Sequence, residues 1–349
     1  MNSYDISVKQ TRKNIFTFHT NKLFSHPLQI SLSIFPDGRE SNFIGTMKNQ
    51  DAEFEIPKLT KRPYFLIDDG SNSFIIAERT LLIDGLINFR DIGGYITKDG
   101  KSTKWGMMYR GDQIHNAEDS GIKYLQQLSI KTIIDYRSND EVNKYPNRVI
   151  NENIVTYNMD PSAHTAEVAA QFASSKDHED VNLIDNIIKQ KNNGELKSNQ
   201  ETVLKEYRNF VKSKKSQEVY GRMLKIARNP NNVAIIQHCR GGKDRTGYGI
   251  MLLLGILGVP KDIIIKDYML TKTNRTERNE AKMNRYRKIT DDQQVLEHLY
   301  ALIDTKEEFI EESINTIENE YGNFISYAKK ELKLNDRDIS DLQQLYLTK

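Results

Sequence analysis

The chain has 349 residues, long enough for one large domain plus a small one. Its 50 Lys and Arg against 48 Asp and Glu leave a net charge of +2, so nothing biases the whole molecule towards nucleic acid, and any anion chemistry must come from local clusters. One cysteine excludes an internal disulfide framework, and no run approaches the roughly 18 consecutive apolar residues of a membrane span. Met1 to Thr20 lacks the apolar core of a signal peptide. That fits a cytoplasmic protein as written, and a secreted protein whose signal had been removed would read the same.

Residues 1–80 read as β-structure. Ile15-Phe16-Thr17-Phe18 and Leu28 to Ile34 alternate apolar and polar, and Pro36-Asp37-Gly38 makes a turn between such runs. Phe54-Glu55-Ile56 alternates again. Tyr64 to Ile67, Asp68-Asp69-Gly70 and Phe74 to Ala77 predict a hairpin with an Asp-Gly turn. Short strands at this spacing predict a small β-sandwich of immunoglobulin or fibronectin III type, whose role is packing or partner binding.

The character changes near Leu81. Asn88-Phe89-Arg90-Asp91-Ile92-Gly93-Gly94-Tyr95 combines charge, an aromatic ring and a glycine pair. Glu118 to Leu128 has helical spacing. Lys131 to Ser138 reads as a buried strand that ends in Asp135, Tyr136 and Arg137. In an open α/β sheet, ligands sit at the carboxyl ends of strands, so Asp135 and Arg137 can reach a site there. Asp135 is either a catalytic acid or one half of an ion pair with an arginine. Residues 161–200 are polar and too long for a plain connection, which points to a lid or a solvated excursion. Within them Leu183, Ile184, Ile187 and Ile188 mark a short amphipathic helix. Helices are expected at 203–211 and 219–227, and further helices at 262–271, 295–303, 309–317 and 324–332 cover one face of the sheet. Residues 274–287 read as a solvated helix rather than a binding patch.

The chemistry concentrates at Gln237-His238-Cys239-Arg240-Gly241-Gly242-Lys243-Asp244-Arg245-Thr246-Gly247. An apolar β-branched run, Val233 to Ile236, precedes it, and a buried helix from Tyr248 to Leu257 follows, closed by Gly258 and Pro260. Strand, tight loop and helix aim backbone N–H groups and the positive end of a helix dipole at one point. Cysteine, five residues, arginine and then threonine is the signature of cysteine phosphatases. A phosphate dianion can rest on the amides from Arg240 to Arg245, gripped by the planar fork of Arg245. The positive field favours the nucleophilic thiolate of Cys239 beneath the phosphorus. Thr246 can donate a hydrogen bond to that sulfur. His238 orients the loop. Lys243 is followed by Asp rather than Ser or Thr, so the loop is not a nucleotide-binding Walker loop.

These residues resemble the bacterial tyrosine/lipid phosphatases of dual or triple specificity, the secreted mycobacterial type and their Listeria relatives. The resemblance rests on the loop from His238 to Gly247, on Asn88 to Tyr95, on Ile134-Asp135-Tyr136-Arg137, and on Asp267-Tyr268 and Glu320-Tyr321-Gly322. It spans about Leu81 to Leu347. It implies an α/β cysteine-phosphatase fold with a central, mainly parallel sheet, over residues 81–349, after an N-terminal extension over 1–80. It also implies catalysis without metal or other cofactor, and activity on phosphotyrosine and often on phosphoinositides.

The expected enzyme therefore uses Cys239 and Arg245 as its centre. Arg240, Gly241, Gly242, Lys243, Thr246 and Gly247 complete the substrate cradle, and Lys243 adds a cation at the mouth for headgroups with several phosphates. Asp244 is the first candidate for general acid. If Asp244 instead points outward to an arginine such as Arg90 or Arg137, Asp135 takes its place. The expected partners are a phosphotyrosine protein or a phosphoinositide, with peripheral membrane contact and no nucleic acid. Two other readings are a phosphate-binding module without turnover, and an adhesion or scaffold protein acting through residues 1–80.

Overall fold

The structure is a computed structural model and describes residues 5–56, 59, 61–162, 179–196 and 199–349. Residues 163–178 and 197–198 of the expected lid lie outside the described residues. The N-terminal strands form two antiparallel sheets. One contains β1 (Ser7–Arg12), β2 (Ile15–His19) and β5 (Asp51–Glu55). The other has the order β4-β3-β6-β7, from β3 (Leu28–Ser33), β4 (Asn42–Met47), β6 (Tyr64–Asp68) and β7 (Ser73–Ile76). The alternation places Phe16 and Phe18 of the first sheet, and Leu28, Ile30, Phe65 and Ile67 of the second, in one core. The Phe65 ring meets both phenylalanines, at 5.3 and 4.9 Å between centroids. Burial of each such side chain stabilises by about 1.5–3 kcal/mol.

The Asp-Gly hairpin turn joins β6 to β7. Asp68 accepts from the Gly70 amide (2.7 Å), and Asp69 accepts from those of Ser71 and Asn72. β4 lacks a readable alternation because its pairing with β3 is irregular beside Gly45. A Cβ at Gly45 would fall 2.3 Å from the Phe54 ring, so the two sheets approach too closely there for any side chain.

The remaining strands form one sheet of order β11-β10-β12-β9-β8, from β8 (Arg90–Asp91), β9 (Met108–Gly111), β10 (Thr132–Asp135), β11 (Val155–Asn158) and β12 (Ile235–His238). The four from β11 to β9 are parallel, and β8 is an antiparallel edge strand. The central strands are buried on both faces, which is why they read as near-continuous apolar runs. Successive residues serve opposite cores. Met108, Ile134 and Ile235 join the larger core, whereas Tyr109, Ile133 and Ile236 join the smaller one.

The smaller core is covered by α1 (Asp119–Gln126), through Ile122 and Leu125. A short helix α2 (Asn139–Lys144) follows β10, closed at its start by a capping box between Ser138 and Glu141. The larger core is covered by α4 (Asn199–Lys212), α5 (Lys214–Ala227), α6 (Asp244–Ile256), α7 (Lys261–Asn274), α10 (Glu307–Tyr321), α11 (Phe324–Lys330) and α12 (Asp336–Tyr346). α6 is apolar all round and buried, as its composition requires. Gly258, at φ +83°, ends it, and Pro260 caps α7.

A satellite core joins α3 (Glu179–Asn192), α8 (Thr276–Tyr286) and α9 (Gln293–Ile303). Leu183, Ile184 and Ile187 of α3 pack against Met283, Tyr286, Val295 and Leu299. Thus the amphipathic helix expected in the polar excursion exists. The helix expected to be solvated, α8, buries one face, through Met283 and Tyr286. No described helix is long and apolar enough to cross a membrane.

Candidate active site

Cys239 follows β12 at the carboxyl end of the parallel sheet and is buried. Asp135 of β10 is the register partner of His238 on one side, and Gly111 of β9 is its partner on the other. The loop then folds back over β9. Gly242, at φ +64°, lies so close to the Gly111 carbonyl that a Cβ would sit 2.4 Å from its oxygen. α6 begins at Asp244, four residues earlier than the apolar pattern predicts, so the arginine and threonine of the signature belong to its first turn. Among the described residues, none accepts a hydrogen bond from the backbone N–H of Gly241 to Thr246. First-turn N–H groups lack intrahelical partners, and here the loop extends the set.

The loop carbonyls are held from outside. Asn88 Nδ2 donates to the Gly241 and Gly242 carbonyls (3.1 and 3.2 Å), Arg110 Nη2 to that of Gly242 (2.8 Å) and Arg275 Nη1 to that of Gly241 (2.9 Å). Arg110 is itself anchored on a carboxylate, which Arg90, the donor to Asn88 Oδ1, shares. Buried Asp267 accepts from Arg90 Nε (3.1 Å), Arg110 Nη1 (2.6 Å) and the Tyr95 hydroxyl (2.8 Å). Burial alone would raise its pKa, but the two guanidinium groups hold it well below the usual carboxylate range. Asn88, Arg90 and Tyr95 belong to the glycine-pair motif, and Asp267 to the Asp-Tyr pair, so both motifs support the loop.

Arg245 is buried and gripped by Glu141 through a fork of 2.6 and 2.9 Å, with a further bond to the Tyr136 carbonyl (3.1 Å). Burial opposes its charge, yet the Glu141 carboxylate and the Cys239 sulfur raise its pKa above the ordinary arginine value. Glu141 is lowered in turn: burial pushes it up and Arg245 overrides. Sequence reading missed Glu141. Its only local signal is the capping box that places it at the start of α2.

Asp135 does not face an open cavity. Its two oxygens accept from Arg137 Nε and Nη2 (2.9 and 2.7 Å) and from Asn147 Nδ2 (3.1 Å), which is the ion-pair arrangement. Burial raises its pKa, but the Arg137 guanidinium that grips it brings it below the usual value. Asn147 Nδ2 also donates to His238 Nε2 (3.1 Å), which leaves the imidazole proton on Nδ1, 3.2 Å from the Cys239 carbonyl. Burial keeps that imidazole neutral, with its pKa lowered despite Asp135.

Asp244 pairs with neither Arg90 nor Arg137, which are bound to Asp267 and Asp135. Its Oδ1 accepts from the Tyr207 hydroxyl at 2.7 Å and lies 3.6 Å from Lys243 Nζ. Lys243 departs from the expected place at the mouth. Its ammonium is buried and donates to the carbonyls of Leu302 (3.1 Å) and Asp304 (2.7 Å), at the end of α9. Carbonyls at a helix C-terminus attract a cation, and the sequence alone does not show that this end lies beside the loop. The Thr246 hydroxyl is buried and has no hydrogen-bond partner, the Cys239 sulfur included, among the described residues. Gly247 packs on the Tyr268 ring, 3.0 Å from where its Cβ would be.

The cations near the mouth come instead from Arg240, from Arg275 between α7 and α8, and from α8. Arg240 lies over the Tyr145 ring (5.6 Å). Arg275, Arg278, Lys282 and Arg285 follow at helical spacing. Arg278 donates to Asn279 Oδ1 (3.1 Å), and no described carboxylate pairs with it. Burial, then repulsion from Arg275, Arg240 and Arg285, lowers its pKa to about 10. Asp180 of α3 pairs with Lys282 (3.1 Å) and Arg285 (3.6 Å). Among the described residues, no three His, Cys, Asp or Glu side chains gather in a way that could hold a metal ion.

The chain is similar to known phosphatases. The chain is 26% identical over 198 residues to the triple specificity protein phosphatase PtpB of Mycobacterium tuberculosis, covering 54% of this chain and 67% of that protein. It is 22% identical over 272 residues to a candidate tyrosine-protein phosphatase of Cupriavidus necator, covering 76% of this chain and 88% of that protein. The model of the tyrosine phosphatase family matches residues 81–348, which takes in every strand of the parallel sheet and the whole loop from Cys239 to Arg245. The chain belongs to the tyrosine phosphatase family.

Proposed function

We propose that the protein hydrolyses phosphotyrosine, and phosphoinositide phosphomonoesters, through a phosphocysteine intermediate. The observation that carries this reading is the junction of β12 and α6. There Cys239 opens a loop whose backbone N–H groups from Gly241 to Thr246 are unengaged among the described residues, and a Glu141-anchored Arg245 follows at the start of the helix. Cys239 Sγ attacks phosphorus and the S–P bond forms as the P–O bond to the leaving group breaks. The amides and Arg245 stabilise the charge on the equatorial oxygens. Asp244 gives its proton to the leaving oxygen. Water then attacks phosphorus, its proton passes to Asp244, and the thiolate departs. The spare hydroxyl of Thr246 can donate to that sulfur. A phosphate-binding module without turnover would need none of the leaving-group chemistry that Asp244 offers.

Loss of the true acid slows esters with poor leaving groups and spares a nitrophenyl ester. Asp244→Asn is therefore expected to lower kcat on phenyl phosphate or phosphotyrosine by about 10²-fold or more, to change it little on nitrophenyl phosphate, and to remove the basic limb of the pH–rate profile. Asp135→Asn is expected to lower stability and to keep the leaving-group pattern of the parent. The reverse result in steady-state assays would move the role to Asp135.

The lipid part of the reading rests on the α8 cations and on the breadth that PtpB's name describes. A second phosphate on an inositol ring relieves the repulsion that Arg278 feels. Arg278→Ala is expected to lower kcat/KM on a bisphosphorylated inositol lipid headgroup about tenfold more than on nitrophenyl phosphate. Equal effects on both substrates in a phosphate-release assay would remove α8 from substrate recognition.

A further inference from the structure

Tyr207, on α4, is more than thirty residues from the loop in sequence and belongs to none of the motifs above. Its ring is buried and fixed between the rings of Phe210 (5.6 Å), Phe309 (5.9 Å) and Tyr268 (6.2 Å). Its hydroxyl lies 2.7 Å from Asp244 Oδ1 and 2.6 Å from the Tyr268 hydroxyl. Proton accounting orders this chain. Once Asp244 has given its proton to the leaving group its carboxylate only accepts, so the one proton of Tyr207 then goes to Asp244, and Tyr268 donates to Tyr207. Burial, and then the neighbouring Asp244 and Tyr268, raises the Tyr207 pKa well above the ordinary phenol value, so it remains a donor throughout the working pH range.

We infer that Tyr207, backed by Tyr268, is a positioning residue for the general acid: its hydrogen bond occupies Asp244 Oδ1 and leaves the transferable proton on Oδ2. The inference rests on Asp244 being that acid. The Asp244 side chain keeps 28% of its exposure, so it is not sealed off by Tyr207 and can meet a leaving group. A carboxyl with two equivalent oxygens and a free χ2 would divide its proton between a productive and an unproductive position. The tyrosine pair removes that choice without taking part in proton transfer. The other charged groups facing Asp244 are Lys243 on the same loop and Arg275 at the end of α7, with Asp304 beyond Lys243. None of them is altered by removing one phenol oxygen.

A donor to the ionised carboxyl favours ionisation, so its loss makes Asp244 hold its proton to higher pH. The experiment compares kcat–pH profiles on phenyl phosphate for the parent, Tyr207→Phe, Tyr268→Phe and Asp244→Asn in the full chain. In Tyr207→Phe the basic limb is expected to move up by about one pH unit, the size that one hydrogen bond to an ionised group supports. Tyr268→Phe should move it in the same direction by less, and it decides the matter if Tyr207→Phe folds poorly. An unmoved limb in both variants, even with lower kcat throughout, would show that the tyrosines only pack and would overturn the inference while Asp244 kept its role. A basic limb that survives in Asp244→Asn would overturn the role of Asp244 and the inference together.

Discussion

Cys239→Ser is expected to turn over no substrate, with kcat reduced by at least about four orders of magnitude, while phosphate and vanadate bind as before. A serine hydroxyl is not ionised at neutral pH and needs a base to become a nucleophile. Asp244 still carries the proton meant for the leaving group in this first step, and no other base stands ready. His238, the adjacent imidazole, directs Nε2 to Asn147 and Nδ1 to a carbonyl, and burial keeps it neutral in that orientation. Asp135 is committed to Arg137. The binding half of the site survives because it consists of backbone N–H groups, Arg245 and Glu141, none of which the substitution touches. Titration calorimetry with vanadate and a phosphate-release assay on one preparation separate the two properties. Turnover within tenfold of the parent would sink the nucleophile assignment, and loss of binding would mean that the sulfur shapes the loop.

The parts that could be read from sequence are those whose causes are local. The spacing of Cys239 and Arg245, the β-branched strand before them and the helix after them are neighbours in the chain, and their geometry follows from short-range rules. The apolar pattern begins only at Tyr248 and so hides the first turn of α6, which carries the arginine and threonine of the signature. The place of Lys243 is hidden from sequence for a different reason. Its partners, the carbonyls of Leu302 and Asp304, lie some sixty residues further on. The same holds for Glu141 on Arg245, Tyr207 on Asp244 and Arg275 on Gly241, each a long-range contact between residues that carry no pattern of their own. Asp135 has two possible roles in sequence because an acid and an ion-pair partner look identical there. The choice depends on whether Arg137 turns back on it, and it does. In the N-terminal strands, the regular alternation of β2 and β3 was visible, but the edge strands β1 and β4 bury too little on one face to announce themselves.

Arg62→Met is expected to destabilise the whole chain by about 3–5 kcal/mol, the cost of leaving a buried charge without its partner. Residues 1–80 look separable in sequence, yet Arg62 reaches across to β8. Its Nη1 donates to Asp91 Oδ2 (2.5 Å), and its Nη2 to the Glu78 carbonyl (2.9 Å). Both side chains are buried, and Tyr64, Trp105 and Tyr109 surround the guanidinium. Burial opposes the Arg62 charge, but Asp91 outweighs it and raises the pKa. Asp91 also accepts from the amides of Gly93 and Gly106 (2.8 Å each), and these bonds bind the glycine-pair motif to β9. Its neighbour Arg90 clamps Asp267, and Arg110 carries that clamp to the Gly242 carbonyl. The N-terminal strands thus supply the counter-ion for a carboxylate one residue from the scaffold of the phosphate loop. Removing only the cation leaves Asp91 charged in a dry site. Removing both charges, in Arg62→Met with Asp91→Asn, leaves an amide that can still accept from Gly93, and is expected to recover about half of the loss. Urea unfolding of the parent, the two single variants and the double variant measures the coupling. A single variant within about 0.5 kcal/mol of the parent, in the range of ordinary surface changes, would show that the N-terminal strands only rest on the phosphatase fold.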